Sequence, residues 1–222
     1  MHDITLQLVR TLIEQQFPQW ARLPIMRWSI LRWIEGDPVS STTVEPNALA
    51  ADLARFLVAL QSLNAQDGPA PGAHNFQRGG ALAVYDEQTR RAIETLAREI
   101  NAARATEIWD AALARSWDRA PVWIHGDVAA GNLLVKNGRL HAVIDFGCCA
   151  VGDPACDLVA AWTLFEDGSA GIFRRDLRLD AATWQLAHGW ALWKALITLV
   201  DPLQQQGPAV DRTRALIAKI LR

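Results

Sequence analysis

The sequence predicts a mainly helical α+β fold with a small β-hairpin carrying its polar motifs, and three observations predict it. Apolar residues recur at helical spacing over several separate stretches, including 4–17, 47–64 and 181–200. Short apolar runs on either side of Asn137-Gly138 form the signature of a two-residue hairpin. No internal repeat or low-complexity tract points to a solenoid or a disordered chain.

In chain order, Ile4, Leu8, Leu12, Ile13 and Phe17 make one stripe that stops at Pro18, so an amphipathic helix is expected there. The run "MRWSILRWIEG", Met26 to Gly36, is rich in aromatic and β-branched residues and reads as a strand leading into the loop "GDPVSSTT". Residues 47–64 read as a helix capped by Asn47, and 67–80 as a long irregular loop. Two further helices are expected near 86–102 and 105–115. "VWIHGD" is a short buried strand ending in a polar turn, and "NLLV" and "LHAVIDF" are the two arms of the hairpin. Helices over Ala155–Phe165, Ala181–Val200 and Ala209–Leu221 complete the chain.

At 222 residues, half of them hydrophobic, the chain is long enough to bury a sizeable core. Its net charge of −2 and dispersed basic residues exclude nucleic acid and an anionic membrane surface as expected partners. The N-terminus lacks the pattern of a signal peptide and no segment is long and apolar enough to span a bilayer, so a cytoplasmic location is expected. Cys148, Cys149 and Cys156 crowd together without a Cys-x-x-Cys pair, which fits a reducing compartment. With His125 and His141 they match no familiar zinc spacing. The ten tryptophans read as core packing, except that Trp33 has a position that suggests more.

The polar motifs fit phosphoryl transfer. In that chemistry an Asp in a His-x-Asp loop accepts or orients a hydroxyl proton, an Asn five residues later binds magnesium, and the Asp of a following Asp-Phe-Gly binds magnesium too. Here these are Asp127, Asn132 and Asp145. Asn132 begins one arm of the hairpin and Asp145 ends the other, so antiparallel pairing brings two oxygen ligands to one end, enough for a cation that keeps several waters. Gly131 is expected to allow close backbone approach and Gly147 a sharp turn. Either motif alone is weak; in order across a hairpin they are strong. A Ser-His-Asp hydrolase is disfavoured, because no Gly-x-Ser-x-Gly elbow is present.

"HGDVAAGNLLV", "AVIDFG" and "VGDPACDLVAAWTLF", with "HNFQRGG" and "WSILRWIEG", resemble the aminoglycoside phosphotransferase and choline kinase-like family. The resemblance implies a protein-kinase-like fold, of which residues 27–222 are the helical C-lobe with its hinge strand, and residues 1–26 an N-terminal helix and small-lobe remnant. It implies Asp127 as catalytic base, Asn132 and Asp145 as Mg2+ ligands, ATP as phosphoryl donor, and Asp157 as a structural acid holding the catalytic loop. "RWIEG" resembles the hinge where adenine sits, so Arg32, Trp33 and Ile34, with Ile144, are the candidate nucleotide contacts.

Kinases of this fold also use a glycine-rich strand pair and a lysine on the phosphates. Within these 222 residues the first lysine is Lys136, and Gly36 is the first glycine. Weak ATP binding and impaired activity are therefore expected, with a non-catalytic pseudokinase-like binding module or a degenerate remnant as alternatives. The hinge strand, with Ile25, Trp28, Ile30 and Trp33, is expected to expose an edge for self-association. Residues 153–222 hold eight acids and eight bases, which does not favour a polycationic substrate, so the expected substrate is a hydroxyl on a small molecule.

Overall fold

The computed structural model describes residues 10, 11, 14, 15, 18, 33–39, 44–201 and 208–222. Its contacts divide the chain into two compact units, 1–34 and 35–222. In the first unit Arg10, Thr11, Glu14 and Gln15 are helical and exposed, the polar side of the expected opening helix. The apolar stripe of that helix, Arg32, and the edge residues Ile25, Trp28 and Ile30 lie outside the described residues. Trp33 is 85 % exposed, and Ile34 is also exposed.

The second unit is helical around two small antiparallel sheets. β1 (Asp37–Pro38) pairs with β3 (Leu133–Lys136), which pairs with β4 (Arg139–Val143); β2 (Val122–Ile124) pairs separately with β5 (Ala150–Gly152). The expected strand over Met26–Gly36 fails in its described part, since Trp33–Gly36 is not strand and pairing starts only at Asp37. Gly36 sits at φ 138°, a conformation that interrupts an extended ladder. Pro38 has no N–H to offer, and the Val39 amide donates to the Leu133 carbonyl instead (3.0 Å).

The hairpin matches its sequence signature. Asn137 (φ 56°) and Gly138 (φ 74°) are both left-handed, as a type I′ turn requires. Leu133, Leu134 and Val135 are buried, and a bulge between Leu134 and Val135 adjusts the register against β4.

Helix α1 (Pro46–Gln61) begins one residue before the expected cap. Glu45, rather than Asn47, caps it, taking the amides of Asn47 (3.2 Å) and Ala48 (2.6 Å), because Pro46 suits the first helical position. α2 (Asp86–Thr95) ends earlier than expected, and α3 (Ala102–Leu113) starts at its Asn101 cap. The segment after β5 is a 3₁₀ turn, Pro154–Val159, running into the short α4 (Ala160–Thr163). α5 (Asp167–Leu177), not expected from the sequence, packs on α1. α6 (Ala181–Val200) and α7 (Pro208–Ile220) fall where expected.

α6 is the core of the unit. It packs on α2, α3, α7 and the 3₁₀ turn at 154–159, and burial reaches right round it. Gly189 makes the closest of these approaches possible: a Cβ there would lie 2.5 Å from the Ala112 Cβ and 2.6 Å from Leu82. Among the described residues, no helix is long and apolar enough to cross a membrane.

Candidate active site

The polar motifs meet where β2 and β4 end. The loop after β2 is held from beneath by Asp157, which is fully buried in the 3₁₀ turn. Its Oδ2 accepts the His125 amide (2.8 Å) and its Oδ1 the Gly126 amide (2.7 Å). Burial pushes this carboxyl above the usual range even though both amides favour its charge. The structural role implied for Asp157 is thus visible as two hydrogen bonds.

His125 ties the two motif loops together. Its ring is fully buried; Nδ1 accepts the Asp127 amide (3.2 Å), which leaves the proton on Nε2 to be donated to the Ile144 carbonyl (2.9 Å). The ring also lies 4.7 Å from that of Phe146. Gly126, at φ 81°, passes so close to the Cys148 carbonyl that a Cβ would come within 2.2 Å of the oxygen. Glycine is required between His125 and Asp127 on both counts.

Asp127 therefore projects from a fixed loop. Its Oδ1 accepts from Lys194 Nζ (3.1 Å) and its Oδ2 from Asn132 Nδ2 (3.2 Å), while the same Asn132 amide donates to the Asp127 carbonyl (2.9 Å). Burial works upward on the Asp127 carboxyl, but the Lys194 charge and hydrogen bond, the Arg78 charge and the Asn132 amide together hold it below the ordinary value. It is a carboxylate at neutral pH.

The hairpin does bring the two expected metal ligands to one end. The Ile144 amide donates to the Asn132 carbonyl (2.9 Å), extending the β3–β4 pairing to the residue before Asp145. Asp145 is exposed at φ 63°, and its Oδ1 accepts the Gly147 amide only at 3.4 Å. The Asn132 side-chain nitrogen is committed to Asp127, and among the described residues its side-chain Oδ1 has no partner. Both side chains thus offer free oxygen lone pairs, the donor set magnesium prefers. No three His, Cys, Asp or Glu side chains among the described residues form a metal-holding group, but an ion that keeps most of its waters needs only one or two protein oxygens.

Two glycine expectations are corrected. Gly131 has open space where a Cβ would stand, so no close approach within the chain itself depends on it. The sharp turn after β4 is made by Asp145 itself in the left-handed region, which a short polar side chain tolerates, and not by Gly147. Ile144 is half-buried at the hairpin base, and Trp33 and Ile34 are exposed and belong to the other compact unit.

Sequence reasoning missed Lys194 and Arg78. The Arg78 guanidinium lies over the Trp193 ring, 4.8 Å from its centroid, and 5.7 Å from that of Trp190; Tyr85 stacks on Trp193 at 4.0 Å. Asn75, fully buried, positions this segment by donating to the carbonyls of Arg78 (2.9 Å) and Cys148 (3.3 Å). The available signal was Lys194 itself, the one Lys, Arg, Asp or Glu in the apolar run 181–200.

The chain belongs to the phosphotransferase enzyme family, whose model matches residues 7–196. A search of the curated proteins finds no match. Among solved structures, the chain is similar to a thermostable mutant of aminoglycoside phosphotransferase APH(4)-Ia in ternary complex with AMP-PNP and hygromycin B, with 18 % identity, a TM-score of 0.56, and coverage of 85 % of this chain and 70 % of that one. It is also similar to a macrolide 2'-phosphotransferase type I, with 20 % identity, a TM-score of 0.54, and coverage of 94 % and 77 %. The gentamicin complex of APH(2")-IIa aligns at 17 % identity, with a TM-score of 0.51 and coverage of 96 % and 81 %. At these identities the likeness establishes a kinase-like fold.

Proposed function

We propose, from membership of this family, that the protein transfers the terminal phosphoryl group of ATP to a hydroxyl of a small molecule. The observation that supports this best is the joining of the two motif loops through one ring, His125, which sets Asp127 beside a hairpin end carrying Asn132 and Asp145. In this reading Asp127 orients the hydroxyl, whose oxygen bonds to the γ-phosphorus as the bond from that phosphorus to the β,γ-bridging oxygen breaks and ADP leaves. The hydroxyl proton passes to Asp127. A carboxylate with a lowered pKa is a weak base, which suits a loose transition state in which positioning outweighs proton abstraction. Asn132 and Asp145 would hold Mg2+, whose charge offsets that of the phosphate oxygens.

Residues 27–222 serve in this reading as the C-lobe and 1–26 as a small-lobe remnant. Arg32, Trp33, Ile34 and Ile144 are the nucleotide contacts, and the hinge edge is the surface for self-association. With no lysine before Lys136, the triphosphate loses several charge-assisted hydrogen bonds, and an ATP dissociation constant of about 1 mM or weaker is expected. A second reading, a non-catalytic binding module, is favoured by one observation: both Asp127 carboxylate oxygens are already engaged, by Lys194 and Asn132.

Transfer from ATP to a panel of small alcohols, with and without magnesium, tests the proposal. Asp127→Ala should reduce transfer by about a hundred-fold or more while the circular dichroism spectrum stays unchanged. An Asp127→Ala protein as active as the parent would remove Asp127 from the chemistry.

A further inference from the structure

Two cations converge on the cleft beside Asp127. Lys194 Nζ has Asp127 as its hydrogen-bonding partner, and the pair is open to solvent, with side-chain exposures of 38 % and 36 %. Arg78 is the less ordinary of the two. Among the described residues its guanidinium has no carboxylate partner and no hydrogen-bond acceptor, and its Nε is buried and unpaired. It rests on the Trp193 and Trp190 rings, held there through the Asn75 bond to its backbone. A buried guanidinium nitrogen without an acceptor is costly, and a fork of donors left unfilled is shaped for an oxyanion.

Three acids at or near this cleft are already engaged. Both oxygens of Asp157 are taken by the His125 and Gly126 amides, Asp153 accepts the Ala155 amide, and Asp127 is neutralised by Lys194. The cavity bordered by Arg78, Asp127, Trp193 and Lys194 is only about 10 Å³, the space of a single water. Any hydroxyl approaching Asp127 Oδ1 meets the Lys194 ammonium group beside it.

We propose that the cleft takes an alcohol carrying an oxyanion, a carboxylate or a phosphate ester, which Arg78 and Lys194 receive together. The negative group draws Lys194 toward itself, so the interaction that selects the substrate also widens the approach to Asp127 Oδ1. A polycation would meet two like charges at the same place. The inference rests on the transferase reading only in taking Asp127 as the place where the hydroxyl arrives.

Four probes that share a 1,2-diol and differ in charge test it: glycerate, glycerol 3-phosphate, glycerol and 3-amino-1,2-propanediol. Binding is followed by calorimetry and by the fluorescence of the tryptophans under Arg78, without nucleotide. One or both anions should bind about ten-fold or more tightly than glycerol and the amine, and comparing the two anions separates carboxylate from phosphate ester. Arg78→Gln should bring anion binding down to the level of glycerol. Lys194→Gln, at a half-exposed position, should reduce it as well. No anion binding at about 50 mM, an equal or stronger response to the amine, or full anion binding by a folded Lys194→Gln and a folded Arg78→Gln protein would overturn the proposal. Because no transfer is measured, failure here leaves the transferase reading standing, and an inactive transferase leaves this one standing.

Discussion

The two loops that carry the acids are built in opposite ways. The Asp127 loop is fastened from below by a buried carboxylate and from the side by a buried imidazole. The Asp145 loop is exposed, with Phe146 42 % accessible and a single long hydrogen bond from Gly147 to the carboxylate. The hairpin end, the His125 bond to Ile144, ring contacts to Phe146 and the Asn75 bond to the Cys148 carbonyl hold it from outside the carboxylate. The difference separates two tasks. A group that must align a hydroxyl needs a rigid base, whereas a metal ligand gains its final order from the ion it holds.

Removing the fastening of the first loop should have the largest effect. Asp157→Ala leaves the buried His125 and Gly126 amides without acceptors and is expected to cost about 2–5 kcal/mol in a denaturant titration. A loss below about 0.5 kcal/mol would mean that the Asp127 loop is no better fastened than its neighbour.

Asp153 sharpens the contrast through pH. It caps the turn that presents Asp157, accepting the Ala155 amide at 2.8 Å, and burial pushes its carboxyl up from 3.8 to about 6, against the pull of that amide. The folded state therefore keeps a proton that the unfolded chain releases between those values. The stability from this group is complete below 3.8 and is lost as pH rises through about 6, by roughly 2–3 kcal/mol. Asp153→Asn keeps the acceptor and should remove that loss, so the variant gains on the parent as unfolding is measured from about pH 4 to about pH 8.

The link between the loops is tested by His125→Phe, which keeps an aromatic ring against Phe146 but unpairs the Ile144 carbonyl and the Asp127 amide. A cost of about 1–3 kcal/mol is expected, together with faster amide exchange at both loops; faster exchange at the Asp127 loop alone would show that the ring does not hold the other. Asp145→Asn should move stability least, by less than about 0.5 kcal/mol, because the side chain is exposed and weakly bonded. Any magnesium dependence of nucleotide binding should disappear with it, and a retained dependence would place the ion elsewhere.

Legibility in the sequence followed the range of the interactions. The hairpin was readable because Asn137-Gly138 demands its turn locally, and α6 because its apolar run needs no partner to be recognised. β5 was not, since three residues ending in Gly152 become a strand only by pairing with Val122–Ile124. α5 hid its buried Ser169, Phe173 and Leu177 among two glycines and four charged residues. At the site, Asp127, Asn132 and Asp145 announce themselves by spacing, and the structure gathers them around the hairpin end. Lys194 and Arg78 reach Asp127 from a distant helix and an irregular loop, where only tertiary packing decides the neighbours. Trp33 stood out in sequence, but Trp190 and Trp193 are the tryptophans beneath a site cation.

The two-residue turn at Asn137-Gly138 also has a bearing on the order of assembly. A hairpin closed over so short a loop forms in about 1–10 μs, long before contacts between remote parts of a chain of this size. Asn132 and Asp145 are thus brought near one another by a segment that needs little else, while Asp127 waits for Asp157 and Lys194, 30 and 67 residues further on. During synthesis the oxygen ligands would be in place while α6 was still being made, and the hydroxyl-binding acid would be the last part of the site to be set.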